Sequence, residues 1–257
     1  MTESISNLIK EISDIMDGNL HSVWLYGSVV LGDFRPGWSD IDFIALTNTR
    51  ISEGQAQKLV SLRQSMSQRE PENPFYRLFE GIIAEINEYR NNSFSRLVYW
   101  GTSGQRITDA YKPDIFASLE LARYGIAVYG MNDRSIFAVP RRGDILNAVR
   151  AHYETIRKYA KRTDERIYSC GWLLDIARCV YTLRYNDVIA KTDAGIWALD
   201  NHIFPDESKL RRAIEIRQNP LNFVDDDTMR WLANLGPTVQ KYADVLENEL
   251  EPLTNLR

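Results

Sequence analysis

The stretch LYGSVVLGDFRPGWSDID, residues 25–42, decides the reading of this chain. Residues 21–27 (HSVWLYG) read as a strand that runs into Gly27-Ser28. A short apolar turn (Val29, Val30, Leu31) and a Gly/Pro-rich loop ending at Trp38 follow. Residues 40–46 (DIDFIAL) read as a second strand, buried beyond its first turn. Gly27 and Ser28 stand where a strand ends and a helix begins. Backbone N–H groups there can meet phosphate oxygens, and glycine permits close approach. Asp40 and Asp42 are two apart on a strand, so they face the same side. Two such carboxylates repel unless positive charge lies between them. Hard oxygen donors favour Mg²⁺ over zinc, and Mg²⁺ held by carboxylates and substrate phosphates is the usual arrangement for phosphoryl chemistry. Taken singly, a Gly-Ser or an Asp-x-Asp is ordinary strand-end polarity. The specific signal is the combination: strand, Gly-Ser, a spacer of eleven residues, then Asp-x-Asp opening a second strand.

Working outward, residues 4–16 carry an apolar stripe (Ile5, Leu8, Ile9, Ile12, Ile15, Met16) and predict an amphipathic helix. A solvent-facing helix is predicted over 52–68 and a loop over 70–75. Residues 78–88 (LFEGIIAEINE) fit a strand and a helix equally well. A helix over 115–127 ends near Gly130, and Val139 to Gly143 forms a connector. Helices are then predicted over 144–161, 165–184, 191–201, 207–216 and 227–249. The expected organisation is a mixed α/β domain, residues 1–143, followed by an all-helical domain, 144–257.

The chain has 257 residues, 44% hydrophobic and 26% charged, which excludes wholesale disorder. The net charge of −4 argues against sequence-independent nucleic-acid binding and leaves room for a cationic small-molecule substrate. No stretch approaches the roughly 20 apolar residues that span a bilayer. The opening MTESISNLIKEISDIMDG does not read as a signal peptide, because it lacks a basic start and is broken by Glu3, Lys10, Glu11 and Asp14. A cytoplasmic monomer without membrane or nucleic-acid partners is therefore expected. Cys170 and Cys179, on one predicted helix, are too far apart for a disulfide and read as core thiols. The 3 histidines are scattered and cannot supply a zinc site by themselves.

The two-part motif resembles that of the nucleotidyltransferase superfamily related to DNA polymerase beta. The runs LLDIARCVYTLRYNDVIAKTDAGIWAL (173–199), KPDIFASLELARYGIAVYG (112–130) and IFAVPRRGDILNAV (136–149) narrow the resemblance to the streptomycin/spectinomycin adenylyltransferases. It implies an N-terminal nucleotidyltransferase domain of α/β (α+β) class with a small mixed sheet, a C-terminal helical bundle, and a cleft site shared by the two. The implied reaction moves AMP from ATP to a hydroxyl of an aminoglycoside, with two Mg²⁺ ions, and releases pyrophosphate. A protein or an RNA end as acceptor (the acidic charge argues against RNA), a hydroxylated metabolite, and a non-catalytic nucleotide-binding module are the other classes this fold permits.

Carried over residue by residue, the resemblance implies that Gly27 and Ser28 hold the phosphates with Ser39 nearby. Asp40, Asp42 and Glu80 hold the metal, and Glu80 accepts the proton of the attacking hydroxyl. Glu85 is the rival of Glu80, on the other face of a strand. Lys191 matches a lysine that contacts the triphosphate, and otherwise reads as a helix-start lysine in solvent. Arg178 faces the nucleotide or pairs with Asp175. Asp114 lies near the nucleotide or caps the helix over 115–127. The antibiotic is expected against Asp164, Tyr168 and Asp175 on one helical stripe, with Tyr159 and Trp100 as aromatic walls. The bland reading of that group is a capping Asp164 beside core aromatics. Two departures stand out: Pro220 occupies the place of a family tyrosine, and Tyr168 that of an acidic residue.

Overall fold

The computed structural model describes residues 1–254. The amphipathic stripe near the N-terminus becomes α1 (Thr2–Met16), which buries Ile5, Leu8, Ile12 and Met16. Then come β1 (Leu20–Leu25), the single turn α2 (Gly27–Val30) and β2 (Ile41–Thr47). Helix α3 (Glu53–Arg69) starts at a reciprocal capping box between Ser52 and Gln55. The ambiguous segment 78–88 resolves into both alternatives in turn, β3 (Phe79–Glu85) and then α4 (Ile86–Arg90). Glu85 makes the switch, because its carboxylate accepts the N–H groups of Asn87 (3.0 Å) and Glu88 (2.8 Å) as the cap of α4.

Three strands escape the sequence reading. A hairpin, β4 (Leu97–Gly101) and β5 (Gly104–Thr108), turns through Thr102 and Ser103. The helix expected over 115–127 is shorter, α5 (Ile115–Tyr124). It stops at Gly125, and β6 (Ile126–Tyr129) follows and pairs antiparallel with β1. The strands form one mixed sheet in the order β5-β4-β3-β2-β1-β6. Only β2 and β3 run parallel, in a register that places Ile41 beside Phe79 and Asp42 beside Glu80. β1 pairs antiparallel on the other side of β2. A parallel pair needs a crossover rather than a hairpin, and α3 provides it.

The remaining elements are helical: α6 (Arg142–Tyr159), α7 (Tyr168–Tyr185), α8 (Lys191–Asp200), α9 (Glu207–Gln218), α10 (Asp226–Ala233) and α11 (Gly236–Thr254). The single helix expected over 227–249 is two. Asn234 ends the first, and Gly236-Pro237 starts the second, since proline suits a first helical turn and not an interior. Gly236 lies directly on the Lys161 carbonyl, with no room for a Cβ. Cys170 and Cys179 are both buried thiols on α7.

By internal packing the chain divides into two units, Met1–Val30 with Asp40–Val139, and Leu31–Ser39 with the chain from Pro140 onward. The spacer 31–39, which the sequence reading leaves in the first half, thus belongs to the helical unit. The core of the sheet unit gathers Trp24, Ile44, Leu46, Ile82, Ala84 and Leu97. Among the described residues no helix is long and apolar enough to cross a membrane.

Candidate active site

Gly27 occupies a left-handed conformation, with φ +66°. A Cβ built on it would collide with the Asp42 carboxylate, so only glycine lets strand β2 present that carboxylate there. The Tyr26 N–H donates to the Asp42 carbonyl (3.2 Å), and the Ser28 hydroxyl donates to the Asp40 carbonyl (3.4 Å). The Gly-Ser turn and the Asp-x-Asp strand are therefore one structure. Tyr26, which the sequence reading passes over, has its phenol held protonated by burial first and by Asp42 second.

Glu80 stands beside Asp42 on the parallel neighbour strand. Burial, and then the charge of Asp40, push its carboxyl up to about 7, with Arg63 partly offsetting them. Arg63 comes from α3 and donates to the backbone carbonyls of Phe79 (2.8 Å) and Gly101 (3.4 Å). It is a second residue missed in the sequence, since a lone arginine on a helix carries no signal. Among the described residues no three Asp, Glu, His or Cys side chains stand close enough together to enclose a metal ion. The donor chemistry nevertheless suits a divalent cation. Asp42 and Glu80 are hard ligands in register on adjacent strands, and repulsion from Asp40 is what a cation relieves.

Other expected site residues have structural partners of their own. Trp100 is 1% exposed; its indole N–H donates to the Leu59 carbonyl (3.0 Å) and its ring meets Phe43 edge-on, so it is core and no wall for a ligand. Asp114 caps α5 by accepting from the Ala117 N–H (3.0 Å). Ser39 is buried, and its hydroxyl accepts from the Arg35 N–H (3.0 Å) and donates to the Asp33 carbonyl (3.5 Å), which folds the spacer onto itself.

In the helical unit the expected stripe breaks up. Asp164 precedes α7 and closes a turn, accepting from the Arg166 N–H (3.0 Å) and the Ser169 hydroxyl (3.0 Å). Tyr168 is exposed; its hydroxyl donates to the Trp38 carbonyl at 3.5 Å and its ring meets Trp38 edge-on. Asp175 is half-buried and tied to Lys191 (2.9 Å) and Arg178 (3.6 Å). Burial alone would raise its carboxyl; Lys191 and then Arg178 more than offset this and hold it at about 2. Asp175 is thus a holder of cations of its own chain. Tyr159 is exposed near the end of α6, with the Lys158 ammonium over its ring. The spacer residues Asp33 and Trp38, with Thr192 and Arg217, form a buried cluster that no sequence motif announced.

Residues 5–89 match the family model of the nucleotidyltransferase domain. Residues 136–234 match that of the C-terminal domain of aminoglycoside adenylyltransferases. The chain belongs to the aminoglycoside adenylyltransferase family of nucleotidyltransferases. The first match contains Gly27, Ser28, Asp40, Asp42 and Glu80; the second contains Asp164, Asp175, Arg178, Lys191 and Arg217. Trp100 and Asp114, which the structure uses for core and cap, fall in neither. The fold is that of the spectinomycin adenyltransferase AAD(9) from Enterococcus faecialis, solved with ATP and spectinomycin, with a TM-score of 0.64 and 17% identity over 96% of this chain and 99% of that one. A toxin–antitoxin structure, MntA-HpeT, aligns over 59% of this chain and 90% of that one, with a TM-score of 0.29 and 12% identity. No curated protein sequence matches the chain significantly. As a member of this family the chain is an enzyme whose reaction is nucleotidyl transfer.

Proposed function

We propose that this adenylyltransferase-family protein transfers AMP from MgATP to a hydroxyl of an aminoglycoside or aminocyclitol antibiotic and releases pyrophosphate. The observation that carries the reading is the Asp42 carboxylate seated on the backbone of Gly27, with Glu80 in register beside it. Gly27 and Ser28 offer backbone to phosphate oxygens with no side chain in the way. Asp40, Asp42 and Glu80 would hold the Mg²⁺ ions, two in this reading. When bound, Mg²⁺ neutralises phosphate charge and favours attack by a hydroxyl oxygen. Glu80 accepts the proton of that hydroxyl; a carboxyl raised to about 7 is matched to that task near neutral pH.

Lys191 and Arg178, which meet at the Asp175 carboxylate, are the cations this reading assigns to the polyphosphate. This reading assigns Asp164, Tyr159 and Tyr168 to the acceptor, which would have to displace the Arg166 guanidinium from Asp164 and the Lys158 ammonium from the Tyr159 ring. The enzyme acts as a monomer in the cytoplasm, where ATP is at hand and Cys170 and Cys179 stay reduced.

The test is pyrophosphate release from MgATP with a panel that includes streptomycin and spectinomycin, each product weighed by mass spectrometry. Gain of one adenylyl group on a panel member is the expected result. Glu80→Gln should lower turnover by about a hundred- to ten-thousandfold, the worth of a general base, and leave ATP bound. Silence across the panel with ATP still bound removes antibiotics as acceptors and moves the reading to a metabolite or protein hydroxyl.

A further inference from the structure

Asp33 lies in the spacer that joins the Gly-Ser turn to the Asp-x-Asp strand, and both its side chain and that of Arg217 are 4% exposed. Its carboxylate accepts from the Thr192 hydroxyl (2.7 Å) and backbone N–H (3.3 Å), from Arg217 Nε (3.0 Å) and Nη2 (2.8 Å), and from Arg35 Nε (3.0 Å). Arg217 Nη2 also reaches the Asp33 carbonyl (3.4 Å), and the guanidinium lies over the Trp38 ring at 5.2 Å. Burying two charges carries a large desolvation cost, which only near-complete hydrogen bonding offsets. A passive linker across a surface needs no such pair.

The partners say what the pair does. Thr192 is the second residue of α8, and Lys191 is the first. The residue before them, Ala190, has no side-chain oxygen, and Asp33 takes over the cap from elsewhere in the sequence. Arg217 comes from the end of α9. The spacer is thus fastened to two helices of its own unit and folded on itself through Ser39. One end of the spacer continues into Val30 of the Gly-Ser turn and the other into Asp40. Asp33 is five residues from Ser28, and Ser39 adjoins Asp40.

We propose that Asp33 and Arg217 are positioning residues for the nucleotide, their buried pair setting the path of the spacer and thereby the placement of Ser28 and Asp40. This rests on the nucleotide half of the function proposed above. The test is calorimetric titration of the full-length protein with MgATP, alongside the turnover number at saturating MgATP and the melting temperature. Asp33→Asn is expected to weaken MgATP binding at least about tenfold, as misplacement of binding groups does, with turnover at saturation changed far less. Arg217→Lys, which keeps the charge and loses the fork, should fall between wild type and Arg217→Met.

A lowered melting temperature with unchanged MgATP affinity overturns the proposal, and so does a loss confined to turnover. Where Asp33→Asn does not fold, Thr192→Val removes the hydroxyl without stranding Arg217 and should cost roughly threefold in affinity; unchanged affinity there overturns the proposal equally. Wild-type protein that binds no MgATP sinks the nucleotide reading and this proposal together. Wild-type protein that binds MgATP but adenylylates no antibiotic leaves the binding series to decide this proposal alone.

Discussion

At the scale of single residues, Gly27 and Glu80 carry the most consequence. Gly27→Ala places a side chain at φ +66°, where the backbone alone costs about 1–2 kcal/mol. The new methyl also drives against Asp42. The expected outcome is a folded protein with turnover reduced about a hundredfold or more, checked by pyrophosphate release and far-UV circular dichroism. Glu80 adds a pH prediction. Its carboxyl is raised to about 7, so below that pH a proton competes with the cation for the same oxygens. The Mg²⁺ concentration for half-maximal turnover should therefore rise as pH falls from 8 to 6, roughly tenfold per unit below the raised value. An unchanged Mg²⁺ requirement across that range would remove Glu80 from the metal set.

At the scale of elements, residues 78–88 show why periodicity alone was undecided. The segment is a strand and then a helix, and the joint is a carboxylate cap at Glu85. Glu85→Ala should lower stability by roughly 1 kcal/mol, as loss of an N-cap does, with turnover essentially as in wild type. Urea denaturation beside the turnover assay separates it from Glu80→Gln. Two of the missed strands, β5 and β6, share a cause. β5 is an edge strand with half-exposed residues along its length, and β6 is four residues at the opposite edge. Neither has the alternation that one buried face imposes. The long C-terminal helices are legible because their apolar stripes repeat over many turns, and the break falls at Gly236-Pro237, where proline suits the first turn of a new helix.

At the scale of the whole molecule, acid stability follows from the ion-paired carboxylates Asp175 and Asp33 of the helical unit. Asp175 is held at about 2, below an ordinary carboxylate near 3.9. A group depressed by folding contributes fully above its unfolded value and loses that contribution as pH falls through the folded one. Asp33 acts in the same direction, because Arg217 and Thr192 more than offset its burial. Stability should therefore drop between about pH 4 and pH 2, by on the order of 2 kcal/mol for Asp175. Asp175→Asn should be less stable at neutral pH and show a flatter acid limb, read from urea midpoints across that range.

What the sequence determined by itself is the chemistry of the sheet unit. A Gly-Ser turn is followed closely by two aspartates two apart, and the period of two puts those aspartates on one face; Glu80 enters through the family resemblance. Their placement needed only local geometry and one parallel pairing: Gly27 lies against Asp42, and Asp42 stands in register with Glu80. What only the tertiary structure decided is where long-range partners fall. Asp33 with Arg217, Asp175 with Lys191, and Trp100 against Phe43 join residues from separate elements. Charge and aromaticity in a sequence do not distinguish a group that waits for a ligand from one already neutralised or buried by its own chain. That difference is one of desolvation, and desolvation is set by packing rather than by residue type.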